Sequence, residues 1–403
     1  MSPVFASTSR RLGGVVVTLL LIEFLDELVF GVGESAWPLI RADLRLDYAQ
    51  IGLLLSLPGL LAAFVEPAFG ILADRGYTRW LILIGGVCFG LANLLTGLAP
   101  DFGLLLFAFI LFFPASGAFV SVAQAVLMDL DPRRRELHMA RWTLAGSIGV
   151  VSGPVLLTAF GWLGGSWRTV YLALAVAALL LVLWAARARL SRPVEAEARP
   201  AEPAGLNSVL RAFARRDVRH WLILLMCADF MLDVLLSYLA LYVVDVAGGT
   251  PEQGALAVGV FTGVGLISDA LVIPLLTRVS GRSYLRWSVS LMVLIFPAFL
   301  LMPGLFAKLI LIGLVGLLNA GWYAILKAQM YGALPGQSGT VLAVDSIFGF
   351  VEKLVPLGVG LLAATFGLSQ ALWVLWLGPL VVWLGVFNPP SGVTWIEGQA
   401  ADD

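Results

Sequence analysis

Twelve apolar stretches, each long enough to cross a lipid bilayer, follow one another along the 403 residues of this chain. In order, spans 1 to 12 run near 15–37, 50–73, 80–99, 103–128, 140–161, 168–188, 220–247, 253–277, 285–303, 306–333, 340–365 and 370–387. A helix rises about 1.5 Å per residue, so about 20 apolar residues match a hydrocarbon core about 30 Å thick. With 60% hydrophobic and only 13% charged residues, the composition excludes an ordinary water-soluble globule. In lipid every backbone N–H and C=O must be satisfied inside the protein, which a helix does within itself. The predicted fold class is therefore all-α, a polytopic membrane protein of twelve transmembrane helices. No small-residue cleavage site follows span 1, which is read as a retained helix.

Span 1 carries charges that lipid does not tolerate. Glu23, Asp26 and Glu27 crowd about one helical turn of VVVTLLLIEFLDELVFGVGESAW. Each such residue at mid-membrane costs roughly 2.5 to 3.5 kcal/mol on insertion scales, so protein or water must shelter them. At 3.6 residues per turn, Glu23, Glu27 and Glu34 fall within about 40° of one another, with Asp26 about 60° to the side. Carboxylates so crowded in a low-dielectric setting are expected to hold at least one proton between them near neutrality.

Basic residues are distributed unevenly about the spans. Arg10, Arg11, Arg75, Arg79, Arg133, Arg134, Arg135, Arg141, the 187–219 segment, Arg278, Arg282 and Arg286 fall on one side, against Arg41, Arg45, Arg168 and Lys308 on the other. The positive-inside rule makes the first side, with both termini, cytoplasmic. That orientation suits an inner (plasma) membrane protein. Cys88 and Cys227 lie in separate apolar spans and suggest neither a disulfide framework nor a metal knuckle.

The chain also repeats itself. A shift of 207 positions brings PAFGILADRGYTRW from Pro67 onto PLLTRVSGRSYLRW from Pro274, matching Arg75, Tyr77, Arg79 and Trp80 to Arg282, Tyr284, Arg286 and Trp287. The same register places Asp26 on Asp233, and a shift of 205 places Ala123-Gln124 on Ala328-Gln329. The domains expected are thus two pseudo-symmetric six-helix bundles, 1–188 and 220–403, joined by a polar linker over 189–219. Its LNSVLRAFARR stretch is amphipathic enough to lie along the inner membrane surface. Duplicated halves of this kind usually put the cargo site at their interface, near the bilayer midplane.

Two six-helix halves, a basic central loop and GILADRGYTR between spans 2 and 3 together resemble the major facilitator superfamily across essentially the full length. The resemblance implies that Asp74, Arg75 and Arg79 form an inner-side charge latch and that Gly70 serves close helix packing. The match is not complete. Gly76 comes one position early, Tyr77 stands where glycine is usual, and Gly281 aligns with Asp74 in the second copy. In span 5, GSIGVVSGP carries Gly149, Gly153 and Pro154 at the spacing of the antiporter signature, although Leu157 replaces a later glycine. Such a run is also what tight packing of membrane helices produces. Phe113 occupies the place of the family's span 4 arginine. HMARWTLAGSIGVVSGPVLL and AILKAQMYGALPGQSG are similar to the fosmidomycin-resistance-like exporters.

Inside the spans, nine acids face two bases: Glu23, Asp26, Glu27, Glu66, Asp229, Asp233, Asp269, Asp345 and Glu352 against Lys327 and Lys353. Pairing cannot cancel them, so the surplus is protonated, hydrated or matched by a cationic cargo. As repeat equivalents, Asp26 and Asp233 are the candidates for acids facing a central cavity, with Asp229 one turn away. Asp269 aligns with Ala62, a turn from Glu66, whose alternative role is local, at the kink before Pro67. Asp345 and Glu352 share a face with Lys353 beside them, and an internal ion pair is an equal reading. Lys327 shares a stripe with Tyr323 and neutralises an acid or binds an anionic part of the cargo.

Among the aromatics, Trp37, Trp80, Trp162, Trp167, Trp221, Trp287 and Trp395 lie near span ends and read as interfacial belt. Phe30, Tyr238, Trp322 and Tyr323 lie deeper, as cavity walls for an organic cation or as plain packing. Asp47 with Gln50, and Asp101, are expected to cap helices. His138 and His220 are expected to be solvated at the boundary. No nucleotide loop, metal motif or nucleophile elbow appears, so neither an enzyme nor nucleic-acid binding is indicated.

These readings converge on a secondary transporter, exporting a small cationic or amphiphilic organic compound in exchange for protons by alternating access. It needs no cofactor beyond the proton as coupling ion, and works as a monomer in the bilayer. Two alternatives stay open: a divalent-metal carrier using Asp26, Asp229 and Asp233, and a non-transporting membrane sensor or scaffold.

Overall fold

The computed structural model describes residues 3–130, 135–187, 211–276, 278–334 and 349–390, with 393 and 395, and among them there is helix and no strand. Among the described residues, eleven helices are long and apolar enough to cross a membrane: Tyr48–Leu72, Arg75–Leu98, Phe102–Met128, Leu137–Trp162, Trp167–Arg187, Arg216–Asp245, Pro251–Leu276, Gly281–Leu301, Leu305–Met330, Gly349–Phe366 and Leu368–Phe387. They are spans 2 to 12. Span 1 is the 42-residue helix Pro3–Leu44, set apart from the others by its three crowded acids. Large apolar side chains stay exposed on the outside, Phe64 at 72%, Val155 at 66% and Trp287 at 73%, as a chain solvated by lipid requires.

The chain divides into two compact units, 1–50 with 54–197, and 198–403 with 51–53. Of the expected 189–219 linker, 189–210 lies outside the described residues. In the first unit span 1 lies along span 5, and span 3 along spans 4 and 6. In the second, spans 7, 8, 9, 10 and 12 pack as neighbours in the same manner.

Local polar chemistry sets several helix ends. Asp47 accepts from the Gln50 amide at 2.7 Å while its own amide donates to Gln50 Oε1 at 3.0 Å, and Asp101 accepts from the Leu104 amide at 3.0 Å. Each cap satisfies N–H groups that a helix start leaves open. At the far end of the first unit Arg168 pairs with Asp43 at 3.0 Å and donates to the Gly97 and Ala99 carbonyls that close span 3. Lys308, counted with the outer-side charges, is buried. Its Nζ donates to the Phe299 and Leu300 carbonyls and the Tyr242 hydroxyl at 2.7, 3.1 and 2.8 Å. A cation at the carbonyl end of span 9 complements the helix dipole as well as the unpaired oxygens.

The aromatic belt splits accordingly. Trp80, Trp162 and Trp287 are exposed, but Trp37, Trp167 and Trp221 are buried. Trp37 meets Phe109 edge-on, Trp167 donates to Asp43, and Trp221 packs edge-on against Trp395. The two histidines, His138 and His220 in the opening turns of their helices, are also buried rather than solvated.

Candidate functional site

The acids of span 1 sit on the glycine run of span 5, so two features separate in the sequence form one contact. A Cβ on Gly146 would stand 2.7 Å from Glu23 Oε1, and one on Gly149 would stand 2.9 Å from the Glu27 Cβ. One turn further, a Cβ on Gly153 would stand 2.3 Å from the Gly31 carbonyl carbon, which no side chain allows. The spacing of Gly146, Gly149 and Gly153 gives span 5 a bare strip along which span 1 lies, with Pro154 just beyond it. Glu23 is buried at 7% exposure, and Asp26 and Glu27 are half-buried. Asp26 accepts from the Ser116 hydroxyl of span 4 at 2.8 Å. Glu34, farther along the same helix, is buried in the neighbourhood of Tyr171 of span 6.

In the second unit the structure gathers four predicted residues from three spans. The Asp229 carboxyl of span 7 shares a hydrogen bond with Glu352 of span 11, within electrostatic reach of Asp233 and of Lys327 from span 10. Lys327 Nζ stands 5.4 Å from the centre of the Tyr323 ring. Glu352 meets Asp229 across the bundle, where sequence spacing had set it beside Asp345; Asp345 lies outside the described residues. A wide π-turn over Phe230–Val234 holds Asp233, next to Asp229. Such turns are rare and recur at functional sites.

Spans 4 and 10 are interrupted at equivalent places. In span 4 a π-turn over Gly117–Ser121 follows Pro114, which has no N–H to give its helix. Glu66 of span 2 is exposed and lies over this point, its Cγ 3.0 Å from where a Gly117 Cβ would be. In span 10 the helix stops at Asn319 and restarts at Trp322, and Gly321 takes φ 74°. Asp269 accepts from the Gly321 amide at 3.2 Å, Tyr284 donates to the Ala320 carbonyl at 2.8 Å, and Ser268 donates to the Leu317 carbonyl at 2.8 Å. Side chains of spans 8 and 9 thus take up backbone groups that the break leaves open. Replacing Gly321 with alanine forces a left-handed residue and brings a Cβ to 2.8 Å from Val272 Cγ1. We expect a loss of about 2 kcal/mol, read as a lower melting temperature of the detergent-solubilised protein.

Other predicted residues take different places. Tyr238 and Trp322 are buried inside the second unit, donating to the Pro356 carbonyl and the Ser288 hydroxyl, so neither lines open space. Phe30 and Tyr323 are exposed at 40% and 46%. In the latch, a Cβ on Gly70 would meet nothing within 4 Å, so close packing is not its role. Arg75 is exposed, Arg79 donates to the Ala186 carbonyl that ends span 6 at 2.9 Å, and the Asp74 side chain lies outside the described residues. Sequence reading missed Gly146, Ser116, Ser268 and Gly321. Only Gly146 left a signal, its spacing to Gly149 and Gly153.

Among the described residues no three of His, Cys, Asp and Glu gather closely enough to hold a metal ion. Membrane-spanning helices that bury ionisable groups against neighbouring helices in each of two units are the arrangement a membrane transporter needs, and the family match makes the chain one. The chain belongs to the Major Facilitator Superfamily, whose family model matches residues 19–351. It is 24% identical over 396 residues to the fosmidomycin resistance protein of Escherichia coli (strain K12), covering 96% of each chain. It is 23% identical over 143 residues to the multidrug export protein EmrB of the same strain, 35% of this chain and 28% of that one. Among solved structures it resembles a bacterial homologue of the human lysosomal transporter Spinster, in an inward-facing, occupied conformation. The TM-score there is 0.77 at 16% identity, over 93% of this chain and 95% of the other.

Proposed function

We propose that this transporter is a proton-coupled antiporter that exports a small cationic or amphiphilic organic compound across the inner membrane by alternating access. Both termini are on the cytoplasmic side, and the monomer is the working unit. The observation that carries the reading is the seating of Glu23 and Glu27 on the glycine run of span 5, with Asp26 held by Ser116. Proton-carrying groups stand there on a contact between helices, where a change of charge acts directly on packing. In the second unit, Asp229 and Glu352 provide a second place for a proton beside a lysine. Protonation discharges these acids and releases a cationic cargo; deprotonation restores the charge that binds it. Resistance and export relatives support efflux as the direction.

The test uses proteoliposomes loaded with a pH-sensitive dye and given an imposed pH gradient, with tetraphenylphosphonium and fosmidomycin as separate probes. Tetraphenylphosphonium should move against its gradient while protons move the other way, and collapsing the pH gradient with an ionophore should stop it; movement of fosmidomycin, an anion, alone would overturn the cationic cargo. Equal rates with the gradient present and collapsed would refute the coupling. The divalent-metal alternative finds no cluster of ligands among the described residues. A calorimetric response to manganese, iron or cobalt would revive it.

A further inference from the structure

Span 7 begins with the wrong charges for a helix start. The amino end of a helix carries partial positive charge and open N–H groups, so Asp, Asn, Ser or Thr is favoured at the cap and acids in the first turn. Here Arg215 holds the cap position in an extended conformation, φ −73° and ψ 131°, and its side chain makes no capping hydrogen bond. Arg216 and Arg219 follow at the first and fourth positions of the helix, and Arg211 lies in the short turn before it. All four arginines are exposed. Asp217 is the one acid in 211–219, and it is taken by Arg215, whose Nη2 and Nε donate to its two oxygens at 2.6 and 3.1 Å. Arg219 Nη1 donates to the Phe213 and Ala214 carbonyls at 3.1 and 3.3 Å, which folds the turn back onto the helix. Arg211 and Arg216 have no ion pair or side-chain hydrogen bond among the described residues.

We infer that this arginine turn is a docking site for the phosphate of an anionic phospholipid in the adjoining leaflet, bound through Arg211 and Arg216. Depth in the membrane comes first. Arg216–Asp245 has 30 residues, and at about 1.5 Å per residue it is about 45 Å long, close to the roughly 40–45 Å of a bilayer with its headgroups. Its first residue therefore stands at headgroup level, and this holds whichever side of the membrane that end faces. Charge comes second. Four cations around one turn repel one another and oppose the helix dipole, and one carboxylate offsets only part of that cost. An anion supplied from outside relieves both terms. Guanidinium groups match phosphate oxygens in geometry as well as charge, and those of Arg211 and Arg216 are uncommitted. A zwitterionic headgroup carries its own cation into the cluster and gains less. Free phosphate offers the same oxygens, but a lipid is held beside the turn by its tails, at a far higher effective concentration.

The test reads the turn itself, independently of any transport activity. The full chain is placed in nanodiscs of phosphatidylglycerol or of phosphatidylcholine with the same tails, and amide hydrogen exchange over residues 211–219 is followed by mass spectrometry. The Arg215 and Arg219 amides, which donate to the Ala212 and Arg215 carbonyls, report opening of the turn. A basic residue at an anionic surface is worth about fivefold in binding, so exchange should be at least about fivefold slower in phosphatidylglycerol. Raising the salt to about 0.5 M should shrink the difference. In Arg211→Gln/Arg216→Gln it should vanish, and the comparison of the two lipids on the unaltered chain stands without the variant. Equal exchange in both lipids, a difference that survives the double substitution, or the same slowing by inorganic phosphate in phosphatidylcholine nanodiscs would each overturn the assignment.

Discussion

Asparagine at position 26 is expected to abolish proton-driven transport while leaving the protein folded. The substitution keeps the size of the side chain and an oxygen for the Ser116 hydroxyl, which lies 2.8 Å from the carboxylate in the native chain. What it removes is the capacity to take and release a proton. Coupled flux should fall by roughly a hundredfold, the scale on which loss of an acid–base group is usually felt. An unchanged profile on size-exclusion chromatography separates this from misfolding. Ser116→Ala removes only a hydrogen bond and should cost about 1 kcal/mol, roughly fivefold in rate. If Asp26→Asn transports at the native rate with its pH dependence intact, Asp26 carries no coupling proton.

Alanine at position 153 should produce the largest structural effect. Its Cβ would stand 2.3 Å from the Gly31 carbonyl carbon and 2.4 Å from the Val32 nitrogen, both backbone atoms that no rotamer change can move. Spans 1 and 5 must separate to admit it, and the Glu23 and Glu27 contacts on the same strip separate with them. A destabilisation of about 3 kcal/mol is expected, at the upper end for an overpacked site. Thermal unfolding in detergent measures it. An unshifted transition would mean that the strip is not close-packed.

Much of the architecture was legible because lipid imposes its own ruler. Apolar length alone placed spans 2 to 10 and 12 within a few residues of their helices. The Asp47 and Asp101 caps were legible as well, since a cap involves residues only three positions apart. Contacts between spans were a different matter. Glu352 lies seven residues from Asp345 in the sequence, yet its hydrogen bond goes to Asp229, on a helix more than a hundred positions away. Periodicity tells which residues share a face but not what that face meets. Trp167 and Trp221 read as boundary residues for the same reason; nothing local announces that Asp43 or Trp395 will cover them. Lys308 entered only the count of basic residues on the outer side, because the carbonyls it serves belong to the helix before it.

The paired interruptions of spans 4 and 10 bear on how this chain came to be. Aligned at the shift of 205, Ser116, just before the Gly117–Ser121 π-turn, falls on Gly321, so both copies depart from regular α-helix within a turn of one repeat position while using unlike residues to do so. A proline and a left-handed glycine are not interchangeable by a single small step, and each needed its own helpers. A helix departing from regular geometry by either means can bend there, so each copy carries a joint at the matching position of the repeat whichever residues make it.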